Sequence, residues 1–146
     1  MADTKVNSLD DAVHKTNVIL KEIEEEAGLP DREAAYRALK GVLITVRDRI
    51  PTEPATQLGA QLPILVRGFY YEQFAPARQP DTVRSKTEFL TRLAERFDPD
   101  DALLNDPEAT TRAVLAVVGR HIDPGEAEKA RHMLNDDLKT LWPLAA

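Results

Sequence analysis

Apolar residues recur every three or four positions along nearly the whole chain, the spacing of one face of an α-helix. Leu9, Ala12, Val13, Thr16, Leu20, Ile23 and Ala27 form the first such stripe. Ser8 is placed to cap it, with Asp10 and Asp11 in the first turn, where carboxylates suit the helix dipole. Gly28 and Pro30 stop it. Asp31 is placed to cap a second helix, whose stripe is Ala35, Leu39, Val42, Leu43, Val46 and Ile50, ending at Pro51. Thr52 is placed to cap a third, with Glu53 and Pro54 in its first turn and a stripe of Ala55, Leu58, Leu62, Leu65, Val66 and Phe69.

The periodicity lapses between Glu72 and Arg84, a stretch holding Pro76 and Pro80, and resumes at Ser85. Ser85 and Glu88 have the spacing of a capping box, in which each side chain satisfies the other's backbone N–H. Phe89, Leu90, Leu93 and Phe97 follow. Asp-Pro pairs at 98–99, 106–107 and 123–124 each put a capping carboxylate before a first-turn proline. Val114, Leu115, Val118 and Ile122 mark one further stripe. Ala127, Ala130, Leu134, Leu138 and Leu141 mark the last. No stretch sustains the two-residue alternation of a strand, so the fold class is all-α.

The second half echoes the first at an offset of 72 residues. Val42 falls on Val114, Val46 on Val118, Ile50 on Ile122, Ala55 on Ala127, Leu62 on Leu134 and Tyr70 on Trp142. The helix break at Pro51-Thr52 falls on Asp123-Pro124. The expectation is two tandem helical repeats of about three helices each, 8–71 and 85–142, joined by a linker at 72–84. Units this small bury only a thin core alone, so the two should pack as one compact body.

One residue separates the halves in the third helix. Pro63 has no N–H to donate and crowds the carbonyl four positions back, that of Gly59. Asn135 stands at the corresponding place. A bend is therefore expected at Pro63 and none at Asn135, with Gln61 either reaching a freed carbonyl or facing solvent.

Composition narrows the function. The 146 residues include 42% hydrophobic and 30% charged positions, ordinary globular usage. With no cysteine, disulfides, thiolate metal sites and a cysteine nucleophile are excluded. A net charge of −6 argues against an electrostatic nucleic-acid binder, and no apolar run approaches a membrane span. No basic segment followed by an apolar one opens the sequence, so no signal peptide and a cytoplasmic location are expected.

Catalytic constellations are lacking. His14, His121 and His132 fall on three different helices, and no pair shares a helical face, so no metal ligand set and no cofactor are expected. The carboxylate pairs are adjacent residues, which point about 100° apart on a helix. There is no Gly-rich phosphate loop and no nucleophile elbow. Arg47 and Arg49 sit near a helix C-terminus, and Arg78, Arg84, Lys86, Arg92 and Arg96 gather loosely around 72–84.

The runs A-Y-R-A-L at 35–39, L-G-A-Q-L-P at 58–63 and R-G-F-Y-Y-E at 67–72 resemble the prokaryotic domain-of-unknown-function 2267 family. The K-T-E-F-L-T-R-L-A-E-R segment at 86–96 looks like the opening of that family's second half. The resemblance covers roughly residues 8–142. It implies an all-helical, duplicated body and brings no activity and no catalytic residues.

These features favour a non-enzymatic helical interaction module that binds a protein partner or itself. The alternative is a small-ligand binder or enzyme with a site between the repeats, lined by Tyr70, Gln61 and Arg67. On a wheel centred on Leu62, residues Leu58, Leu65, Val66 and Phe69 lie within about 60° and Tyr70 at about 80°. Tyr71 lies at about 180°, away from the core. Tyr71, Arg67 and Phe74 are therefore the expected recognition surface, since aromatics and arginine dominate interface energetics.

Overall fold

The computed structural model describes residues 3–143. Among these, eight α-helices and no strand appear: α1 (Asn7–Ala27), α2 (Arg32–Arg49), α3 (Thr52–Gln61), α4 (Ile64–Tyr70), α5 (Lys86–Ala94), α6 (Pro107–His121), α7 (Pro124–His132) and α8 (Asp136–Lys139). Short 3-10 turns cover Pro76–Arg78 and Ala102–Asn105.

The helix starts follow their caps. Asp31 accepts from the N–H of Ala34, Ser85 from Glu88, Asp106 from Ala109 and Asp123 from Glu126, each satisfying a donor the helix cannot. Gly28 ends α1 at φ +64°, the left-handed conformation glycine adopts without strain. Three caps differ from expectation. Thr52 is the first residue of α3, behind Pro51, and makes no capping hydrogen bond, and the turn after Asp98-Pro99 is capped by Asp101, which accepts from the N–H of Leu103. Ser8 lies inside α1, and Asp10 Oδ1 instead reaches back to the N–H and hydroxyl of Thr4, both at 2.9 Å.

Helix α2 is the centre of the body. It is buried on nearly every side, from Ala34 through Val46, because α1, α4, α5 and α6 all pack on it. Helix α6 has the matching position in the second half, with α1, α2, α5 and α7 around it. α1 packs on α6 while α5 packs on α2, so the first helix of each half lies across the central helix of the other. Helices α3 and α7 pair directly: Gln61 lies near the start of α7, and its side-chain oxygen accepts from the N–H of Asp123 at 3.4 Å.

The starts of α3 and α7, the starts of α4 and α8, and the ends of α2 and α6 are each 72 residues apart. The first helices differ in length, 21 residues in α1 against nine in α5.

Two expectations need correction. The third helix is interrupted rather than bent: Leu62 and Pro63 are both extended, at ψ 145° and 151°. The second half breaks as well, with Asn135 at φ −74° and ψ 168° between α7 and α8. The expected absence of a break at Asn135 therefore fails, and the reason is that proline is not what opens this corner. In both halves a buried leucine, Leu62 or Leu134, precedes the break, and a buried aromatic, Tyr70 or Trp142, closes it. Both aromatics are fully enclosed. Leu65, expected in the core, is 40% exposed, because the helical phase resets at the break.

Candidate anion-binding cleft

The structure gathers Gly59, Gln61, Pro63, Arg67, Tyr70 and Tyr71 around one corner, where most of them hold α3 against α4. The Arg67 guanidinium donates to the carbonyls of Gly59, Ala60 and Leu62 at 3.0, 3.1 and 3.1 Å. These are the end of α3, so Arg67 takes the role that was one of the two expected of Gln61. The Tyr70 hydroxyl donates to the Ala55 carbonyl at 2.6 Å. Burial, aided by neighbouring Tyr71, holds that hydroxyl well above the ordinary tyrosine range, so it stays a neutral donor.

Tyr71 does not project away from the core. Helix α4 ends at Tyr70, so the wheel no longer applies one residue later. The half-buried Tyr71 ring packs edge-on against Tyr70, with centroids 5.1 Å apart, and Phe74 covers it at 5.5 Å. A Cβ at Gly59 would lie 2.4 Å from the Tyr71 hydroxyl oxygen and 2.8 Å from its Cζ. Glycine is what lets the ring approach α3 that closely.

The segment expected as a linker is folded back onto the end of α2. The N–H of Asp81 donates to the carbonyl of Asp48 at 2.7 Å. The Gln79 amide donates to the carbonyls of Ile50, at 2.7 Å, and Arg47. Arg49 donates to the carbonyl of Val83, which is itself buried. Thus the last carbonyls of α2, which the helix leaves unpaired, are taken up by residues 79–81.

Between this segment, α2 and α5 lies a cleft of about 610 Å3. Arg47, on α2, forms its floor and is only 2% exposed. It donates to the carbonyls of Tyr70 and Glu72, both at 2.7 Å, and to Asp48 Oδ1 at 2.9 Å, and lies over the Phe74 ring at 5.3 Å. A guanidinium removed from water persists because its donors are so fully engaged.

The wall is built from arginines that are less completely committed. Arg96 donates from Nε to the Thr45 hydroxyl at 2.9 Å and from Nη2 to Asp48 Oδ2 at 3.2 Å. Removal from water lowers its pKa despite Asp48 beside it. Arg92 pairs with Asp81 and, at 3.3 Å, with Glu95. Arg78 lines the cleft and is exposed, and its guanidinium has no hydrogen-bond or ion-pair partner among the described residues. Four arginines face two aspartates, Asp48 and Asp81, leaving the lining two charges positive in a chain of net −6.

Arg78, Arg92 and Arg96 already stand near one another in sequence, whereas no local spacing marks Arg47, Asp48 and Asp81 as their companions. Arg84 and Lys86, grouped with them by sequence, do not line the cleft; Lys86 pairs with Glu108 at 3.2 Å. Tyr70, Gln61 and Arg67 line none of it either. No His, Cys or Ser is in the lining. Among the described residues no helix is long and apolar enough to cross a membrane, and no group of three or more His, Asp or Glu is placed to hold a metal ion.

No curated protein matches the chain. The all-helical body, with its two breaks and the cleft between its halves, lies largely within residues 16–141, the stretch matched by the model of DUF2267, described as an uncharacterized conserved protein, and the chain belongs to that family.

Proposed function

We propose that the protein is a non-enzymatic interaction module whose partner brings negative charge to the arginine-lined cleft. The observation that carries this reading is the surplus of two positive charges in a concave site of an otherwise acidic chain. A site of this kind steers and selects an oppositely charged partner. The lining supplies donors and charge but no histidine or serine to move a proton or attack a substrate. The firm pairing of Arg47 holds the cleft in shape before anything binds, which lowers the cost of ordering on association.

The test compares the intact chain with Arg78→Glu in sedimentation and in capture of partners from cell extract at low salt. Lys129→Glu, on α7 and outside the cleft lining, is the control. Species bound or self-associated through the cleft are expected to be lost with Arg78→Glu, to be weakened by salt, and to persist with Lys129→Glu. Association that ignores Arg78→Glu would sink the proposal.

A second reading, a binder of small anionic ligands, is favoured by the volume of about 610 Å3, within the range of small-molecule sites. It uses the same residues. Titration with low-molecular-weight anions separates the two.

A further inference from the structure

Resting on the proposal that the cleft receives negative charge, the charge and geometry of its wall say which kind. We propose that the cleft binds a phosphomonoester in its doubly charged form, held by Arg78 from the folded-back segment and by Arg92 and Arg96 from α5 and the turn after it.

Three observations support it. The first is the charge count. Within the lining, two positive charges remain after Asp48 and Asp81 are set against the four arginines; Glu95, outside it and exposed, engages only the Nε edge of Arg92. A single carboxylate would cancel one of them. A phosphomonoester carries about −1.5 to −2 at neutral pH and three acceptor oxygens. The second is donor supply. The Arg78 guanidinium has no acceptor among the described residues, and Arg92 and Arg96 each commit only part of theirs. Guanidinium groups suit phosphate because several N–H donors lie in one plane. The third is rigidity. Asp48 accepts from Arg47 and from Arg96 and so fixes the wall to the floor, while the Asp81 N–H bond to Asp48 fixes the opposite lip. Arg92 holds the Asp81 carboxylate with Nη1 and Glu95 with Nε, which leaves its Nη2 donors without a partner among the described residues.

The test titrates the full-length chain with O-phosphoserine, sulfate, acetate and a dimethyl phosphate diester, at pH 5.5 and 7.5 and low salt. The arginine Nε–H signals are followed by NMR. O-Phosphoserine is expected to shift the signals of Arg78 and Arg92. Its affinity should rise about fourfold from pH 5.5 to 7.5, as the group with a second pKa near 6 takes its second charge. Sulfate, doubly charged at both values, should bind without that rise. Acetate and the diester, with one charge each, should bind more weakly. Arg78→Gln and Arg92→Gln should each weaken O-phosphoserine by roughly tenfold, the order expected for a hydrogen bond between charged groups. The Arg78 guanidinium has no partner to lose, so its variant keeps the fold.

Acetate or the diester binding as tightly as O-phosphoserine, or an affinity indifferent to pH, overturns the phosphomonoester inference while leaving an anion site. Absence of any shift overturns both that inference and the small-ligand reading; the cleft's role with a protein partner is decided separately by Arg78→Glu. A phosphoserine peptide that binds far more tightly than free O-phosphoserine, with its unphosphorylated form inert, assigns the group to a protein. Equal affinities assign it to a free metabolite. Either result supports the inference.

Discussion

The corner between α3 and α4 and the corner between α7 and α8 solve one problem with different residues. Each turns the chain after a buried leucine and closes on a buried aromatic eight residues later. In the first, Pro63 stands at the break, and Arg67 reaches back from α4 to the last carbonyls of α3. In the second, Asn135 stands there and binds the carbonyl of Arg84. Its arginine is Arg131, on α7, which reaches forward to the carbonyls of Trp142 and Lys139 at 2.8 and 3.3 Å. What the corners share is apolar spacing, and what they vary is polar chemistry. The shared part sets the turn. The common 72-residue offset of their boundaries supports, as a proposal, descent from one duplicated unit, and superposing residues 8–70 on 80–142 tests it.

The largest effects should come from the shared part. Tyr70 and Trp142 are each fully buried, and truncating a large buried aromatic typically costs about 3–5 kcal/mol. Tyr70→Ala and Trp142→Ala should both lose about that much in urea unfolding, or leave no folded protein at all. Tyr70→Phe and Trp142→Phe refine the test. The Tyr70 hydroxyl has a partner in Ala55, whereas the buried indole N–H of Trp142 has none. Losing the hydroxyl should cost about 1 kcal/mol. Losing the indole N–H removes no hydrogen bond, so any loss in Trp142→Phe reflects volume. A tolerated Trp142→Ala would break the comparison, because the second corner would then not depend on its closing aromatic.

Next come the two arginines. Arg67→Met keeps the aliphatic stem and abandons three carbonyls; Arg131→Met abandons two. Hydrogen bonds from a charged group contribute about 1.5–3 kcal/mol where the acceptor is left dry. These acceptors are partly exposed, so about 2 kcal/mol is expected for Arg67→Met and about 1 for Arg131→Met. Equal losses would mean that the number of capped carbonyls does not set the cost.

Tyr71 separates the first corner from the second, which has no aromatic after Trp142 in the described residues. Its ring pairs with Tyr70 and Phe74, and such aromatic pairs are worth about 0.5–1.5 kcal/mol beyond the area they cover. Tyr71→Ala should lower stability by at least about 1 kcal/mol. Unchanged thermal stability would return Tyr71 to the free recognition surface that the helical wheel suggests.

The all-helical character and four of the helix caps are legible in the sequence because they depend on neighbours three or four residues away. Asp31, Ser85, Asp106 and Asp123 each cap where their spacing predicts. The cleft is not legible in that way. Arg47 carries the signature of a cation at a helix C-terminus, yet it is buried, because Tyr70 and Glu72, more than twenty residues on, turn their carbonyls toward it. Asp81 carries no signature at all. Its role arises only once residues 79–81 cover the end of α2, a packing event that no local spacing encodes. The failure at Asn135 has the same origin: propensity marks proline as a breaker, but the break is set by where Leu134 and Trp142 must be buried.

Acid should loosen the contacts that tie the halves together. Burial raises the Asp101 carboxyl, but the Arg37 hydrogen bonds and the N–H of Leu103 outweigh it and hold it below its ordinary value. Glu22 is likewise held low, burial being outweighed by Arg120 and His121. A carboxyl held low in the folded state stabilises that state above its unfolded pKa, and the gain is lost as pH falls through the folded value. Thermal stability should therefore fall below about pH 4. Asp101→Asn should lower stability at pH 7 and flatten the acid limb. An unchanged limb would remove the Arg37–Asp101 pair as a contributor.

The smallest effect should be at Pro63, and it bears most directly on the comparison. Pro63 has φ −55° and ψ 151°, a conformation alanine adopts without strain. Its value lies mainly in restricting the unfolded chain, which amounts to about 0.4–1 kcal/mol for a compatible proline. Pro63→Ala should cost no more than that, with helicity by circular dichroism unchanged, because Leu62, Val66 and Tyr70 still need the break to reach the core. A rise in helicity on this substitution would mean that α3 and α4 had fused into one helix. Proline would then set the first corner, and the two corners would have different causes after all.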